Sequence, residues 1–352
     1  MQKSILSVFI LLFFSFCLKA QNDRFYSPLE GLSGTTMHGF FQDSKGFLWI
    51  PTDNGLNRFD GYSFKVYKHN PGDTTTLNSG AAYSVFEDYR GNLSVGTNYG
   101  LNLYNYKFDN FRQIKFYMKQ SQFSLIVNSI VEDSNKKLWL ITSHGLIRFD
   151  PITESYSFYN HRFRNDGVPY HSKYNQAVID EKGNLWIGTE DYSVLIFDIQ
   201  KESFLSIGQY TGLNYEFPDR TILTICQSSP KQILFGTQRA GIVCFDTAEK
   251  RFQQSGYSTN RDNPLDGGIY SIVKDQKGTI WVGTEHNGLK QYDPVSNKLT
   301  DVNHLVNLTN IDKAKFFCYN DQAGVLWFCI QYRGIYQKIS SVKMFHAVWN
   351  SG

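Results

Sequence analysis

A short pattern repeats along this sequence, and most of its copies share a threonine. Aromatic, amide and arginine side chains recur just after that threonine. Flat aromatic faces pack against the C–H bonds of sugars, and planar polar side chains pair with sugar hydroxyl groups. Arginine adds bidentate hydrogen bonding to a carboxylate or a sulfate. The candidate ligand-binding residues are Asn54, Tyr99, His144, Tyr192, Gln238, Arg239, Asn287, Tyr332 and Arg333. Taken singly, each fits an ordinary solvated loop residue better, and only their shared position in the pattern makes them a set.

Carboxylates in the same positions raise the alternative of glycoside hydrolysis. Glu190, Asp191 and Glu285 could supply the carboxylate pair that a glycosidase requires. The sequence does not fix their separation, and it contains no nucleophile elbow, phosphate-binding loop or zinc motif. His161 and His171 share a long loop, but no two histidines have a metal-ligand spacing on a defined element. We therefore expect a binding protein without catalytic residues, cofactor or metal, and keep a hydrolase or lyase as the less favoured alternative.

Seven copies of one pattern, spaced 45 to 48 residues apart, must position these side chains. Each copy runs from a turn residue, usually Asp, to a position six residues later that is usually Trp. The copies are centred on Trp49, Ser94, Trp139, Trp186, Leu234, Trp281 and Trp327. A repeat of about 40 to 50 residues built from short strands is the signature of a β-propeller. The sequence predicts an all-β fold, a seven-bladed β-propeller of four-stranded antiparallel blades.

Turns and packing best explain the repeated residues themselves. In the first copy, Asp43 and Gly46 occupy the first and fourth positions of a tight turn, where these residue types are favoured. Calcium binding is an alternative for such aspartates, but each turn offers one carboxylate, and a calcium loop needs several oxygen ligands. A large ring that recurs once per blade fills the space between neighbouring sheets. Function must therefore lie in the residues that differ among the copies.

Residues 1–20 differ in character from the rest of the chain. Lys3 precedes an apolar run over residues 5–18, and Ala20 offers a cleavage site. This order of features predicts a secretory signal peptide over 1–20 and a mature protein, 21–352, that forms a single propeller in the periplasm. A run of about fourteen apolar residues is short for a membrane span, and no later segment approaches that length.

The charge balance bears on the class of partner. Removing Lys3 and Lys19 with the signal peptide lowers the formal net charge from +3 to +1. Nucleic-acid binding needs a clustered excess of Lys and Arg. We therefore expect no nucleic-acid partner.

Four cysteines lie in the propeller: Cys226, Cys244, Cys318 and Cys329. An exported protein can form disulfides. On the repeat map, however, the first two fall on strands that are not neighbours, and the last two are diagonal on adjacent strands. Both geometries are poor for bridging, so we expect buried free thiols.

Two segments compete for the outermost strand of the seventh blade. Lys343 to Val348 follows the third strand of that blade in the usual way, whereas Arg24 to Leu29 lies where an outer strand would precede the first blade. The sequence alone leaves both alternatives open.

Three second-strand segments carry a resemblance to a known family. Phe47-Leu-Trp-Ile-Pro-Thr52, Gly183-Asn-Leu-Trp-Ile-Gly-Thr189 and Gly278-Thr-Ile-Trp-Val-Gly-Thr284 resemble the two-component regulator propeller repeat. The linker over residues 69–78 resembles the loop that leads into the second repeat of that family. The resemblance covers essentially the whole mature chain.

This resemblance implies the periplasmic sensor region of a hybrid histidine kinase of the Bacteroidetes type. It implies a glycan or glycan fragment as ligand, and a second propeller or a membrane-bound sensor kinase as partner. Family members usually continue into an immunoglobulin-like domain, a membrane helix and cytoplasmic kinase domains, but this sequence ends at Gly352 without them. We therefore expect a truncated, split or free-standing sensor propeller. The alternative is a structural half of a larger sensor, with no ligand site of its own.

Overall fold

Seven four-stranded antiparallel sheets make up the fold, as the repeat predicts. The computed structural model describes residues 23–118, 121–122, 125–161, 173–254, 267–306 and 315–338. Within these ranges each copy of the pattern forms one sheet, and one two-stranded hairpin stands apart. The prediction of a seven-bladed propeller is confirmed.

The strands are numbered in chain order. β1 (Arg24–Tyr26) belongs to blade 7. Blade 1 contains β2 (Phe41–Gln42), β3 (Leu48–Thr52), β4 (Gly55–Phe59) and β5 (Phe64–Tyr67). Blade 2 contains β6 (Ala82–Glu87), β7 (Leu93–Thr97), β8 (Gly100–Asn105) and β9 (Asn110–Ile114), and the hairpin β10 (Tyr117–Met118) with β11 (Ser121–Gln122) follows it. Blade 3 contains β12 (Val127–Glu132), β13 (Leu138–Thr142), β14 (Gly145–Phe149) and β15 (Tyr156–Tyr159). Blade 4 contains β16 (Tyr174–Ile179), β17 (Asn184–Thr189), β18 (Val194–Asp198) and β19 (Ser203–Leu205). Blade 5 contains β20 (Ile222–Ser229), β21 (Gln232–Thr237), β22 (Ile242–Asp246) and β23 (Arg251–Gln254). Blade 6 contains β24 (Ile269–Lys274), β25 (Ile280–Thr284), β26 (Leu289–Asp293) and β27 (Lys298–Asp301). Blade 7 contains β28 (Phe316–Asn320), β29 (Leu326–Ile330) and β30 (Gly334–Lys338), with β1 on its outer side.

Helical segments in the described ranges are short. They comprise α1 (Ile207–Thr211) and two 3₁₀ turns, Pro28–Glu30 and Asn303–Val306. With three to five residues each, none of these described segments could traverse a lipid bilayer.

The first strands of the blades surround the central axis. β6 contacts β12, and further contacts join β12 to β16, β16 to β20, β20 to β24, and β24 to β28. The turns between first and second strands therefore lie at one end of the channel, which we call the turn end. The loops between second and third strands, and those between blades, lie at the opposite end, the loop end.

A hydrogen bond between a turn aspartate and an indole fixes each Trp-containing blade. In blade 1, Asp43 Oδ1 accepts from the backbone N–H groups of Lys45 and Phe47, while Oδ2 accepts from Trp49 Nε1 at 2.7 Å. The same indole bond recurs from Trp139 to Asp133, Trp186 to Asp180, Trp281 to Asp275 and Trp327 to Asp321, at 2.8 to 2.9 Å. One carboxylate therefore closes the turn and orients the ring. These contacts confirm the turn interpretation of the repeated aspartates.

The two copies without Trp use other donors. In blade 2, Asn92 Nδ2 donates to both oxygens of Asp88, at 3.1 and 2.9 Å. In blade 5, Ser228 Oγ donates to Gln232 Oε1 at 2.6 Å. Each substitute satisfies its turn locally, so the turn survives the loss of the indole.

The repeated rings fill the gaps between blades, as predicted. Trp139 is fully buried and packs with Tyr174 and Leu185 of the following blade. Trp49 likewise packs with Leu93 and Val95 of blade 2. The propeller core is therefore a set of interfaces between sheets.

The N-terminal strand closes the ring. β1 pairs antiparallel with β30, with Arg24 opposite Gln337 and Tyr26 opposite Ile335. The ring of Tyr26 stacks on Trp327 at 6.3 Å and meets Phe59 edge-on at 5.2 Å, so it joins blade 7 to blade 1. Of the two alternatives for this strand, the N-terminal segment takes the place; the other, residues 343–348, lies outside the described residues.

The four propeller cysteines are free thiols. Cys318 lies opposite Phe328, which leaves Cys329 diagonal to it, while Cys226 and Cys244 sit on β20 and β22, separated by β21. Burial raises the pKa of Cys226 to about 11 and that of Cys318 to about 12, so both thiols stay protonated and unreactive at neutral pH.

Replacing a buried indole by a ring without a donor should destabilise its blade. In Trp139→Phe the buried Asp133 loses its partner, and we expect the free energy of unfolding to fall by about 3 kcal/mol in urea titrations. Trp281→Phe is the matched control, because that indole and its aspartate are partly exposed, and about 1 kcal/mol is expected there. Equal losses at the two sites would contradict this account.

Removing the ring that joins blades 7 and 1 should weaken closure. Tyr26→Ala deletes a buried ring, and we expect a loss of about 3 kcal/mol in the free energy of unfolding. Phe25→Ala, on the exposed side of the same strand, should cost less than about 1 kcal/mol. Similar thermal shifts for the two variants would show that β1 contributes only backbone pairing.

Candidate functional site

The repeated threonine builds the loops at the loop end. Its hydroxyl donates to a carbonyl across the loop, as in Thr142 to Gly145 O at 2.8 Å and Thr284 to Gly288 O at 2.8 Å. Gly145 has a φ of 116°, and a Cβ there would lie 2.5 Å from Tyr159 O on the outer strand. Threonine and glycine therefore serve loop geometry, which leaves the residues between them to vary.

The residue after this threonine position is anchored to the inner part of the ring. Glu190 N donates to Lys173 O at 3.1 Å, and Glu285 N donates to Gly268 O at 2.8 Å. Blades 1, 3, 5 and 7 have the same bond from Asp53, Ser143, Gln238 and Gln331, and in blade 2 Asn98 O accepts from Leu125 N. The seven anchored side chains are Asp53, Asn98, Ser143, Glu190, Gln238, Glu285 and Gln331. All seven can hydrogen-bond, so they form a polar ring around the mouth of the channel.

All nine predicted ligand-binding residues lie in loops at the loop end. Five are exposed: Asn54, Tyr99, Arg239, Tyr332 and Arg333. Four are half-buried: His144, Tyr192, Gln238 and Asn287. They are distributed over all seven blades and do not gather at one point.

Several of these side chains already contact their own loops. Asn54 Nδ2 donates to Ser33 O at 2.7 Å, and His144 Nδ1 lies 2.9 Å from Ser143 Oγ. Tyr192 meets the ring of His161 edge-on at 4.5 Å. Tyr99 and Tyr332, by contrast, are 47% and 69% exposed. Among the nine residues, these two have the aromatic rings most accessible to a ligand.

A bulge in the inner strands places further residues at the mouth, and the sequence reasoning missed them. The pairing register shifts by one residue at Tyr83, Asn128, Asn175, Leu223 and Tyr270. Each of these lies five residues before its turn residue, and His38 has that position in blade 1. The missed signal was therefore this fixed spacing within a strand that otherwise looks like core.

The bulge residues of blades 3 and 4 bind the neighbouring blade. Asn128 Nδ2 donates to Tyr174 O at 2.7 Å, and Asn175 Nδ2 donates to Ile222 O at 2.8 Å. These amides hold blade to blade.

At blades 1 and 2 the bulge residues form a polar aromatic cluster. His38 Nε2 lies 2.6 Å from Asp53 Oδ1, and its ring lies 4.3 Å from that of Tyr83. Burial, and then the charge of Asp53, raise the pKa of the Tyr83 phenol, which also hydrogen-bonds the side chain of Asn98. A base, a carboxylate and a ring thus meet at the mouth.

A second such cluster lies between blades 6 and 7. Lys315 Nζ sits 4.3 Å from the centre of the Tyr270 ring and 3.7 Å from Glu285 Oε1. Burial lowers the pKa of Lys315, but the hydrogen bond to Tyr270 and the charges of Tyr270 and Glu285 outweigh it, so the net shift is upward. The ammonium is therefore held charged beside the ring.

Two of the three carboxylates considered for hydrolysis contact a lysine. Glu190 Oε2 lies 2.8 Å from Lys173 Nζ in blade 4, and Glu285 is the partner of Lys315 between blades 6 and 7. Asp191 is exposed. The two glutamates share one end of the propeller but lie on different blades, each beside a cation. The structure thus assigns them ion pairs and gives no acid and nucleophile pairing.

Two adjoining recesses of about 410 and 280 Å³ lie at the turn end, between blades 3 and 4. In blades 2 and 3 the residue before the turn aspartate is a glutamate, and Glu87 and Glu132 accept hydrogen bonds from Ser44 N and Tyr89 N of the preceding blades. In blade 4 the residue before the turn aspartate is Ile179, whose side chain cannot accept a hydrogen bond. The smaller recess is lined by Ile179. Its neighbour is lined by residues that already pair with each other, as Lys137 does with Asp150 at 2.6 Å. Part of the larger recess is thus taken up by internal pairing, and we favour the loop end, where all nine predicted residues lie.

The long loop from His161 to Tyr174 is described only at its ends. Arg164, Tyr170 and His171 lie outside the described residues. Among the residues that are described, no three metal-ligating side chains come together.

Comparison with known proteins bears on the family. Residues 263–286 match the family model described as two component regulator propeller. These residues carry one copy of the two-component regulator propeller repeat. The family predicted from the second-strand motifs is thereby confirmed.

Two kinds of protein resemble this chain. Histidine kinase P4 of Formosa agariphila is 42% identical over 77 residues, which make up 21% of this chain and 6% of that kinase. The extracellular domain of the putative hybrid two component system BT3049 from B. thetaiotaomicron superimposes with a TM-score of 0.70 and 24% identity, over 90% of this chain and 41% of that one. The corresponding domain of BT4673 from the same organism gives 0.70 and 20%, over 92% and 40%. The regulator propeller thus spans about two fifths of the solved domains, and the structural likeness concerns the fold.

Removing the phenol beside Lys315 should lower the pKa of that lysine. In Tyr270→Phe the hydrogen bond to Lys315 is lost, and we expect its ammonium to titrate at lower pH in NMR spectra of the lysine side chains. Tyr336→Phe, at the turn end, should leave that titration unchanged. Because the native pKa is raised, the cluster stabilises the fold at neutral pH and loses this contribution as pH rises through the pKa of Lys315. An unaltered titration in Tyr270→Phe would refute the contact.

Proposed function

We propose that this chain is the ligand-binding propeller of a glycan-responsive two-component system, and that it acts outside the cytoplasm by binding and not by chemistry. The observation that carries the proposal is the loop end itself. Seven polar side chains are anchored around the channel mouth by backbone bonds, and exposed tyrosines stand beside them. The family repeat supports a sensory role.

Glycan recognition suits this surface because its groups match the two faces of a sugar. Tyr99 and Tyr332 offer flat rings for C–H bonds, while Gln238 and Asn287 offer planar groups for hydroxyls. Arg239 and Arg333 extend the set toward bidentate contacts. Backbone anchoring means that little loop freedom is lost on binding, which favours affinity.

Lysine partners of the candidate carboxylates favour binding over hydrolysis. A glycosidase needs one protonated and one ionised carboxyl group flanking the same bond. Glu190 and Glu285 instead lie beside Lys173 and Lys315 on different blades. We therefore propose no catalytic residue in this chain.

The partner that fits this role is a sensor kinase or a further propeller of one. The similarity to a histidine kinase over 77 residues supports that assignment, as does the two-fifths coverage of the solved extracellular domains. Export through a signal peptide over residues 1–20, giving a periplasmic protein, belongs to the same proposal and rests on the apolar run after Lys3.

Glycan titration tests the proposal directly. We expect at least one neutral or acidic oligosaccharide of a broad panel to bind the folded protein in calorimetry, and Tyr99→Ala to weaken that binding about tenfold through the loss of a stacking ring. Tyr89→Ala is the matched control, because it removes a ring of similar exposure, 52%, from the turn end of the same blade. That control should bind like the unaltered protein.

Two outcomes would count against the proposal. If no glycan binds a chain shown to be folded by circular dichroism, the structural half of a larger sensor becomes the better account. If an oligosaccharide is instead cleaved, and cleavage is lost in Glu190→Gln or Glu285→Gln, the chain is a hydrolase or lyase.

A further inference from the structure

The channel mouth is chemically divided into two unlike halves. On blades 3 and 4 the bulge residues Asn128 and Asn175 donate to the backbone of the next blade, so their amides serve the scaffold. On blade 5 the bulge residue is Leu223, whose side chain packs so closely on Gly268 that a Cβ there would lie 2.7 Å from it. The inner strands of blades 3, 4 and 5 therefore leave few polar side-chain groups available to a ligand.

The other half carries rings beside ion pairs. Blades 6, 7, 1 and 2 are contiguous around the ring, and Tyr332 N donates to Thr35 O across the junction of blades 7 and 1. We call the mouth residues of these four blades the tyrosine arc: Tyr270, Lys315, Tyr332, His38, Tyr83 and Tyr99. Its two ends repeat one motif, a tyrosine with a base and a carboxylate, in Tyr270 with Lys315 and in Tyr83 with His38.

Two buried polar atoms beside the arc lack hydrogen-bond partners. Within the described residues, neither His286 Nδ1 nor Gln331 Oε1 makes a hydrogen bond, although both atoms are shielded from solvent. They belong to the loops that flank Lys315, one on blade 6 and one on blade 7. A buried polar atom without a partner costs about 1 to 3 kcal/mol, so such a pair on adjacent loops calls for an explanation. Turning either side chain toward a bound hydroxyl group would recover the missing bond.

Backbone conformation marks the same two loops. His286 and Tyr332 have φ values of 71° and 68°, in the left-handed region that side chains other than glycine disfavour. Asn303 holds the first loop in place, since its side chain donates to Asn287 O at 3.1 Å and accepts from Leu289 N at 2.7 Å. Such strain is retained where the surrounding structure enforces it, and it is common at ligand sites.

Charge around the arc is balanced. With His38 neutral, the cations Lys315 and Arg333 equal in number the carboxylates Glu285 and Asp53, of which Glu285 pairs with Lys315. An acidic sugar would place a third negative charge beside these carboxylates and would compete with Glu285 for Lys315. A neutral sugar would leave the Lys315–Glu285 ion pair intact and use the uncharged hydrogen-bonding groups.

We infer that the tyrosine arc is the ligand subsite of this propeller and that it takes a neutral oligosaccharide, anchored between blades 6 and 7 at Tyr332, Gln331 and His286. The inference rests on the proposed function and narrows it to one half of the mouth and one ligand class. Sugar rings lie on Tyr332 and Tyr99, and hydroxyl groups pair with Gln331 and His286. Because the arc spans four blades, the ligand is longer than one sugar unit.

Calorimetry with defined probes tests the subsite. Neutral gluco-, xylo- and manno-oligosaccharides are titrated beside oligogalacturonate, which carries a carboxylate on every unit. We expect a neutral probe to bind and oligogalacturonate not to bind. Tyr332→Ala should raise the Kd about tenfold through loss of the stacking ring. Tyr62→Ala, an exposed ring at the turn end, is the matched control and should leave the Kd within about twofold.

A second variant separates binding from folding. Gln331→Leu removes an unpaired buried acceptor, so the melting temperature should stay the same or rise, while the Kd for the neutral probe increases about fivefold. A purely structural role for Gln331 predicts the reverse, a lower melting temperature with unchanged affinity.

The outcomes distinguish the subsite from the wider proposal. If a glycan binds but only Tyr192→Ala or Arg239→Ala weakens it, or if oligogalacturonate binds and the neutral probes do not, the arc assignment is overturned and glycan binding stands. If none of the probes binds a folded chain, the proposed function fails and the subsite with it.

Discussion

One turn carboxylate in each Trp-containing blade carries most of the architectural constraint. In four of the five Trp-containing copies, a turn aspartate accepts two backbone N–H groups with one oxygen and an indole N–H with the other. The indole in turn fills the gap to the next sheet, so a local turn and a non-local interface depend on the same side chain. Spacing between the two residues cannot vary, because both ends of the bond are fixed by the hairpin. This geometry explains why the turn aspartate and the tryptophan are always six residues apart in the sequence.

Because the contacts at the turn end determine how each blade folds, residue types at the loop end can vary. Since threonine, glycine and the aspartate–indole bond determine each blade, the residues between threonine and glycine can differ without cost to the fold. The backbone bonds from Glu190 and Glu285 to the inner strands nevertheless hold these variable residues in place. A rigid scaffold that presents adjustable groups is the arrangement that recognition sites on loops require.

Sequence reasoning reached the fold because the repeat is periodic and its residue types have single roles. Strand number, the turns and the indole packing follow from spacing, and Cys318 and Cys329 could be judged from register alone. The ring closure could not be decided, because Arg24 to Leu29 shows only strand propensity, whereas the packing of Tyr26 on Trp327 and Phe59 decides it.

The candidate site was less accessible to sequence. The loop set was found by position after threonine, but a register bulge has no residue type of its own, so Tyr83 and Tyr270 were not among the predicted residues. Pairings across blades, such as Lys315 with Glu285, join residues thirty apart and leave no local pattern. Asn54, by contrast, was predicted as a ligand-binding residue, but its side-chain amide donates to Ser33 O, a contact that the sequence does not reveal.

Closure by β1 also sets the order of events in folding. Tyr26 and Gln337, which hydrogen-bond to each other, are 311 residues apart, so this contact cannot form until nearly the whole chain is available. Blades 1 to 6 have all four strands within one repeat and can assemble one after another as the chain emerges. Blade 7 must wait with an open edge, and non-local pairing of this kind is slow. The last step of folding is therefore also the step that seals the ring, and the interval before it is when the open edge of β30 is most exposed to pairing with other chains.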